Sequence, residues 1–226
     1  MMRVAVLYGG ISAEREVSLS SGQQVVAALQ DAGFDVVPVL VGRDLHAVIA
    51  ALTPAPDAVF NALHGGSGED GAMQGVLDWL GIPYTHSGVR ASAMAMDKQA
   101  AKAVFAAAGL PVAQGRVIDV SELVEADPIP RPYVVKPVNE GSSVGVEILR
   151  DGDNRRAAIA RGWRFGRSAM VEEFIPGREL TVSVMGDQAL AVTEILSSNG
   201  FYDYESKYVA GGSRHEIPAA VHPDAY

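Results

Sequence analysis

Residues 4–41 read VAVLYGGISAEREVSLSSGQQVVAALQDAGFDVVPVLV, and this stretch decides the fold. Val4 to Tyr8 is a short apolar run ending in Gly9-Gly10, the mark of a buried strand. From about Glu16 to Ala32 the spacing predicts a helix whose apolar face holds Val25, Val26 and Leu29, with Gly33 as its C-terminal stop. Val36 to Val41 is a second strand. Working outward, Ala58 to Leu63 reads as a third strand and Gly71 to Leu80 as a second helix. Strands alternating with helices predict a doubly wound parallel α/β sheet.

After about Ala95 the pattern changes. Asp97 is a good N-cap for a helix carrying Ala101, Val104, Phe105 and Ala108 on one side, closed by Gly109 and Pro111. Strand-like runs follow at Tyr133–Lys136, Val144–Leu149, Ala169–Phe174, Leu180–Val184 and Ala189–Leu196, interrupted by one helix over about Gly152–Trp163. A short polar strand is expected near His215. This half reads as α+β with an antiparallel sheet. The boundaries expected are residues 1–96 for an N-terminal α/β domain, 97–185 for a central domain, and 186–226 for the start of a third.

The chain has 226 residues, 48% of them hydrophobic, enough to bury a sizeable core. Its net charge of −9, without a basic stripe, argues against a nucleic-acid partner. With no cysteine, disulfides, thiolate metal sites and a cysteine nucleophile are excluded. The apolar run at the start is too short for a signal sequence, and no run approaches the ~18 apolar residues of a membrane helix. A cytoplasmic protein is expected.

Several segments can carry chemistry, each beside a plainer explanation. Gly66-Ser67-Gly68-Glu69-Asp70-Gly71 matches G-x-G-x-x-G, but it follows the third strand, and residues 85–95 lack the acid that should bind ribose. A turn before a helix explains it better. Glu14 and Glu16 lie at the C-terminal edge of the sheet, where α/β folds bind ligands, or they merely favour a helix N-terminus. Asn139–Gly145 is a small Gly- and Ser-rich loop that could cradle phosphate through backbone N–H groups, or be an ordinary hairpin turn. Lys136 favours phosphate, because a lysine amid Val134, Val135 and Pro137 is costly to bury without an anion. Glu172–Glu179 joins two strands through Pro176-Gly177 and could hold a purine and ribose, or be a solvated turn. Phe201–Tyr208 is too polar for a core and reads as a lid or binding loop.

Together and in this order, GGISAEREVSLSSG, ALHGGSGEDGAMQGVLDWLGIPYTHSGVRASAMAMDK, VVKPVNEGSSVGV, EEFIPGRELTV and FYDYESKY resemble the D-alanine:D-alanine ligases, from Val4 to about Tyr208. The resemblance implies an ATP-grasp fold with ATP between the central and C-terminal domains and D-alanine facing the N-terminal one. It implies that Lys98 and Lys136 neutralise ATP phosphates, with Gly141, Ser142 and Ser143 in the loop that covers them. Glu172, the backbone of Glu173 and Ile175, and Glu179 would hold adenine and ribose, and Lys207 would reach the γ-phosphate. Glu14, with Val17 and His64 beside the substrate, would fix the ammonium of the first D-alanine. Ser142 and Tyr208 would complete a hydrogen-bonded catalytic set with Glu14. The implied reaction joins two D-alanines through an acyl phosphate, for peptidoglycan precursors. Tyr208 argues for D-alanine as the second substrate. A homodimer is expected.

The family continues with R-x-D and E-x-N segments that supply an arginine and the ligands of magnesium, with manganese able to substitute. Neither pattern occurs in these residues. The metal ligands are therefore unknown here and expected beyond Tyr226, and the chain alone is expected to be inactive. The alternatives are a non-catalytic nucleotide-binding remnant and an ATP-grasp ligase with another second substrate.

Overall fold

The computed structural model describes residues 1–197, 201–202, 204–209 and 211–222. Residues 198–200, 203, 210 and 223–226, among them Asp203 of the aromatic segment, lie outside the described residues. The chain forms two compact units, Met1–Val112 with Val138–Gly141, and Ala113–Pro137 with Ser142–Tyr226.

In the first unit, β1 (Arg3–Gly9), β2 (Asp35–Val41) and β3 (Ala58–Asn61) form a parallel sheet in the order β2-β1-β3. Val4 pairs with Val36 on one side and Ala58 on the other. A central strand is covered on both faces, so Val4 to Leu7 are all buried and the run is continuously apolar rather than alternating. The order reverses at β1: the chain leaves it for β2 on one side and returns to β3 on the other. This places a topological switch point at the C-terminal ends of β1 and β3.

The helix α1 (Arg15–Asp31) returns the chain from β1 to β2. Gly33, at φ +85°, ends it with Gly33 N–H to Gln30 O and Phe34 N–H to Leu29 O, satisfying carbonyls the helix leaves open. Its tightest packing lies on the expected face but nearer the start of the helix. Val25, Val26 and Leu29 are only half-buried, whereas Ser18 and Gly22 are buried. A Cβ on Gly22 would lie 2.2 Å from Tyr8 Cβ, so the missing side chain brings the helix down onto β1.

The remaining helices of this unit follow the sequence pattern less closely. α2 (Leu45–Ala51) is two turns long, too short for periodicity to reveal; Asp44 caps it through the N–H groups of His46 and Ala47. α3 (Ala72–Leu80) buries Met73, Gln74 and Leu77 and stops at Gly81, φ +68°. α4 (Val89–Met96) buries no apolar side chain, its only buried residue being Ser92. α5 (Lys98–Ala107) is capped by Asp97, as expected, but Val104 and Phe105 remain about half exposed. The core lies on the α2–α3 side of the sheet, around Leu7, Val39, Val48, Val59, Leu63 and Leu77.

The second unit contains β4 (Gly115–Asp119), α6 (Glu122–Glu125), β5 (Tyr133–Lys136), β6 (Glu147–Leu149), α7 (Arg156–Gly162) and β7 (Ser168–Glu173). Its sheet is antiparallel, ordered β4-β7-β5-β6. Ile118, Leu123, Tyr133, Val135, Leu149, Ala169 and Val171 form its core. The Tyr133 hydroxyl donates to Asp127, which Arg131 also grips through two nitrogens at 2.9 Å. The Arg131 hydrogen bonds lead in holding the Asp127 carboxyl below its usual range.

Two elements of this unit are shorter than expected, as β3, which ends at Asn61 rather than Leu63, is in the first. β6 begins at Glu147, because Ser142, Ser143 and Gly145 adopt positive φ and cannot extend a strand. α7 begins at Arg156, because the Asp153 carboxylate accepts from Arg155 N–H and holds a turn before it. β4 is an addition to the expected strands: five residues opening on Gly and Arg give little alternation. Gly115 is needed there, since a Cβ would lie 2.2 Å from Val171 O.

A second antiparallel sheet, ordered β10-β9-β8, comprises β8 (Glu179–Met185), β9 (Gln188–Ser197) and β10 (Ser213–Glu216). Between its last two strands lies α8 (Tyr204–Tyr208), so the aromatic segment is partly helical rather than all loop. Arg178 forms a bidentate pair with Glu194 and donates to Ala220 O at 3.0 Å. Among the described residues no helix is long and apolar enough to cross a membrane.

Candidate active site

At the switch point, the loops following β1 and β3 meet. Gly9 and Gly10 have φ of +91° and +80°, which turns the chain sharply off the strand end. The Arg15 guanidinium donates to Gly10 O at 3.0 Å and pins this turn. Ser18 Oγ accepts from Gly9 N–H at 2.8 Å and donates to Ala62 O at 2.6 Å, tying the ends of β1 and β3 together. Ser12 Oγ donates to His64 O at 2.6 Å and accepts from Glu14 N–H at 3.1 Å.

Glu14 therefore sits at the mouth of the sheet, 2% exposed. Its carboxylate is packed by backbone. A Cβ on Gly65 would lie 2.8 Å from Glu14 Oε2, and one on Gly141 would lie 3.0 Å from it. Only glycine backbone can approach the carboxylate this closely on both sides. Val17, one turn into α1, is half-buried, and His64 is half-buried with Nδ1 3.9 Å from Glu69 Oε1.

The G-x-G-x-x-G segment has its own occupants. Glu69 Oε2 accepts from Gly65 N–H at 2.9 Å, and Asp70 accepts from Ser67 N–H at 2.8 Å and Ala72 N–H at 3.0 Å. Carboxylates thus fill the N–H groups that a pyrophosphate would need. Beneath the loop, Asn61 Nδ2 and Gln74 Nε2 both donate to Gly68 O at 2.8 Å. Gly68 must be glycine, since a Cβ there would lie 2.4 Å from Leu63 Cβ.

Lys98, at the start of α5, turns its ammonium onto the carbonyls of Glu140 and Val138, at 2.5 and 3.4 Å. It thereby fixes the segment leading to Gly141. Glu14, Val17, His64, Lys98 and Gly141 all belong to the first unit.

In the second unit, Ser142 and Ser143 have φ of +48° and +59°, followed by Gly145 at +70°. Positive φ at these positions makes a tight turn, the kind of backbone in which N–H groups can be left facing a ligand. For serine the conformation is strained and needs support. Ser142 Oγ lies 2.7 Å from Tyr208 Oη, and Ser143 Oγ donates to Tyr202 O at 3.0 Å. Gly145 lies against Phe165, 2.4 Å from where its Cβ would stand. The Lys207 ammonium sits 5.1 Å from the Tyr202 ring centre, a cation–π contact.

Lys136, at the end of β5, pairs with Glu172 on neighbouring β7. Glu173 Oε1 accepts from Gln114 N–H at 2.8 Å, leaving β7 tied to the start of β4. Ile175 is exposed beyond the end of β7, and Glu179 is exposed at the start of β8. Lys136 meets Glu172, and Ser142 meets Tyr208; Glu179 has no such contact with the others among the described residues.

Sequence reasoning missed Ser12, Ser18, Asn61, Gln74 and Glu69. Serines in a helix-start segment look like ordinary caps, and their partners are more than 40 residues away. No local pattern announces that. Among the described residues no group of three or more His, Cys, Asp or Glu side chains is placed to hold a metal ion.

Residues 3–51 and 46–87 match the family model described as "D-ala D-ala ligase N-terminus", and residues 104–226 the one described as "D-ala D-ala ligase C-terminus". A relative from Acidiphilium cryptum, named D-alanine--D-alanine ligase, is 75% identical over 223 residues, covering 99% of this chain and 74% of that protein. One of the same name from Granulibacter bethesdensis is 70% identical, covering 99% and 73%. Among solved structures, the D-alanine--D-alanine ligase of Bacillus anthracis superposes with a TM-score of 0.79 at 29% identity, covering 99% of this chain and 74% of that one. A structure of that enzyme complexed with ATP gives 0.76 at 29% identity, covering 97% and 72%. The architecture is the ATP-grasp fold of these structures.

Proposed function

We propose that this chain, which belongs to the D-alanine--D-alanine ligase family, binds D-alanine and ATP for the ADP-forming synthesis of D-alanyl-D-alanine, a peptidoglycan precursor. One observation carries the reading: Glu14, a buried carboxylate at the switch point, lies against the glycine backbone that opens the Ser142–Gly145 loop. An acid suited to an ammonium is thus joined by chain to a loop suited to phosphate.

In this reading Glu14 takes the ammonium of the first D-alanine, with Val17 and His64 beside it. The N–H groups of Ser142, Ser143 and Gly145 take the ATP phosphates, helped by Lys98, Lys136 and Lys207. Glu172, Glu173, Ile175 and Glu179 take adenine and ribose. Lys136 then exchanges its Glu172 partner for a shared contact with nucleotide.

The D-alanine carboxylate attacks the γ-phosphorus, ADP leaves, and an acyl phosphate forms. The amine of the second D-alanine attacks the carbonyl, phosphate leaves, and the amine's proton is lost. Two anions must meet in the first step, so lysine ammonium groups and oriented N–H dipoles contribute most. The acyl phosphate is sensitive to water, so the reaction needs solvent kept out, and the Ser142–Tyr208 contact gives the strained loop a fixed form.

Magnesium is the metal this chemistry calls for, but the described residues do not fit it, and no step is assigned to it. With no R-x-D or E-x-N among them, these 226 residues are not expected to turn over alone. A cytoplasmic homodimer is part of the same reading.

ATP binding by the chain, set against NAD, is the test. Saturable binding of ATP without binding of NAD supports the reading, and the reverse overturns it. Phosphate release from ATP with magnesium should be unchanged by D-alanine; D-alanine-dependent release would overturn the expectation of inactivity.

A further inference from the structure

We infer that Ser12 is a positioning residue for the D-alanine floor, acting through Glu14 and His64; the inference rests on the function proposed above. The Ser12 hydroxyl has one proton, which goes to His64 O at 2.6 Å. Its oxygen then accepts from Glu14 N–H at 3.1 Å. This one hydroxyl spans the two loops of the switch point, from residue 12 to residue 64. It fixes the backbone of the acid on one loop and of the histidine on the other.

The helix itself does not aim Glu14. The residue stands at the N-cap of α1, yet its side chain makes no capping bond. Where its backbone is held, and the walls around it, bear on the direction of the carboxylate. Ser12 contributes to both: the bond to Glu14 N–H, and a Cβ and Oγ each 3.0 Å from the position a Cβ on Gly65 would take. Gly65, at φ +68°, lies between Ser12 and Glu14 Oε2. The three form one packed unit.

Deleting the hydroxyl removes this partner from His64 O and Glu14 N–H in a half-buried site. Loss of such bonds corresponds to about a ten- to hundredfold change in an equilibrium that depends on them. The change should fall on D-alanine and not on nucleotide, whose proposed ligands are largely in the second unit. It should also fall on stereochemistry. Discrimination of D- from L-alanine needs ammonium and methyl group fixed together, and a loosened Glu14 would still attract either ammonium.

The experiment is calorimetric titration of D-alanine, L-alanine and ATP into the full chain and into Ser12→Ala and Ser12→Thr. The expected result is D-alanine binding weakened about tenfold or more in Ser12→Ala, with a smaller D-over-L ratio and unchanged ATP affinity. Threonine keeps the hydroxyl and should restore binding to within about threefold of the unaltered chain. Equal D-alanine affinity in Ser12→Ala and the unaltered chain overturns the inference. Parallel weakening of ATP and D-alanine also overturns it, since that marks general structural damage. If Ser12→Ala does not fold, Ser12→Cys, a weak donor of similar size, replaces it: weaker D-alanine binding at unchanged ATP affinity supports the inference, and unchanged D-alanine binding or parallel loss of both overturns it. No D-alanine binding by the unaltered chain overturns the proposed function itself, and this inference with it.

Discussion

Gly22→Ala should destabilise the protein, although helix propensity says the opposite. Alanine in the middle of α1 would gain about 1 kcal/mol over glycine from backbone entropy alone. The packing reverses that sign. The added Cβ would lie 2.2 Å from Tyr8 Cβ, 2.5 Å from Cγ and 3.0 Å from Cδ2. Carbon atoms rest at about 3.5–4.0 Å, so α1 must retreat from β1 by more than about 1 Å. Tyr8 cannot yield at Cβ, because that atom is fixed to the strand. Overpacking of this kind costs about 1–3 kcal/mol. One turn earlier on the same face, Ser18 holds Gly9 N–H at 2.8 Å and Ala62 O at 2.6 Å. Retreat stretches both bonds, each worth about 1 kcal/mol net. The balance is a loss of about 2–4 kcal/mol, or a Tm lower by about 4–16 °C at this chain length. Thermal unfolding followed by circular dichroism reads it directly. Gly162→Ala in α7 is the control, since no atom lies within 4 Å of its added Cβ; it should melt unchanged or slightly higher. A Gly22→Ala protein that melts at or above the unaltered chain would refute the packing argument.

Lys136→Met keeps the side-chain stem but removes the ammonium paired with Glu172, whose side chain is only 8% exposed. Stability should fall by about 1–3 kcal/mol, less than for a fully buried pair because Lys136 is partly exposed; urea unfolding measures this. ATP affinity should fall at least about tenfold, the loss expected for one charge-assisted bond; an unchanged affinity would remove Lys136 from the nucleotide site. The pH dependence concerns Asp127, whose folded carboxyl is held low first by Arg131 and also by Tyr133. A lowered folded value means the stabilisation is present above the unfolded value of about 4 and is lost as pH falls below it. Asp127→Asn should therefore be less stable than the unaltered chain at neutral pH, and the gap should narrow between about pH 5 and 3. A gap that is constant with pH would contradict that assignment.

The repeating elements are legible in the sequence because they obey local rules. β1 is a continuous apolar run because both its faces are covered, and Gly33 stops α1 because only glycine readily takes φ +85° there. Short elements are not legible. α2 has seven residues, fewer than a periodic pattern needs, and β4 opens on a glycine that tertiary contact with Val171 demands. On α1 the apolar spacing of Val25, Val26 and Leu29 marks the packed face but not where the contact is closest, which is one turn earlier, at the absent side chain of Gly22. At the candidate site, charged and glycine positions such as Glu14, Lys136 and Gly141 can be singled out from chemistry and resemblance. Their partners cannot. Ser12 reaching His64, and Asn61 with Gln74 clamping Gly68 O, exist only once β1 and β3 lie side by side.

The proposed function requires that the switch-point floor built around Glu14 receive D-alanine. Calorimetric titration of D-alanine into the unaltered chain and into Glu14→Gln, with L-alanine as the comparison, tests it most directly. Glutamine matches the shape of the acid but cannot offer a full negative charge to an ammonium. Saturable D-alanine binding, much weaker L-alanine binding, and loss of the D-alanine signal in a folded Glu14→Gln are the expected results. D-alanine binding that survives Glu14→Gln unchanged, or a folded chain that binds neither enantiomer, would contradict that reading.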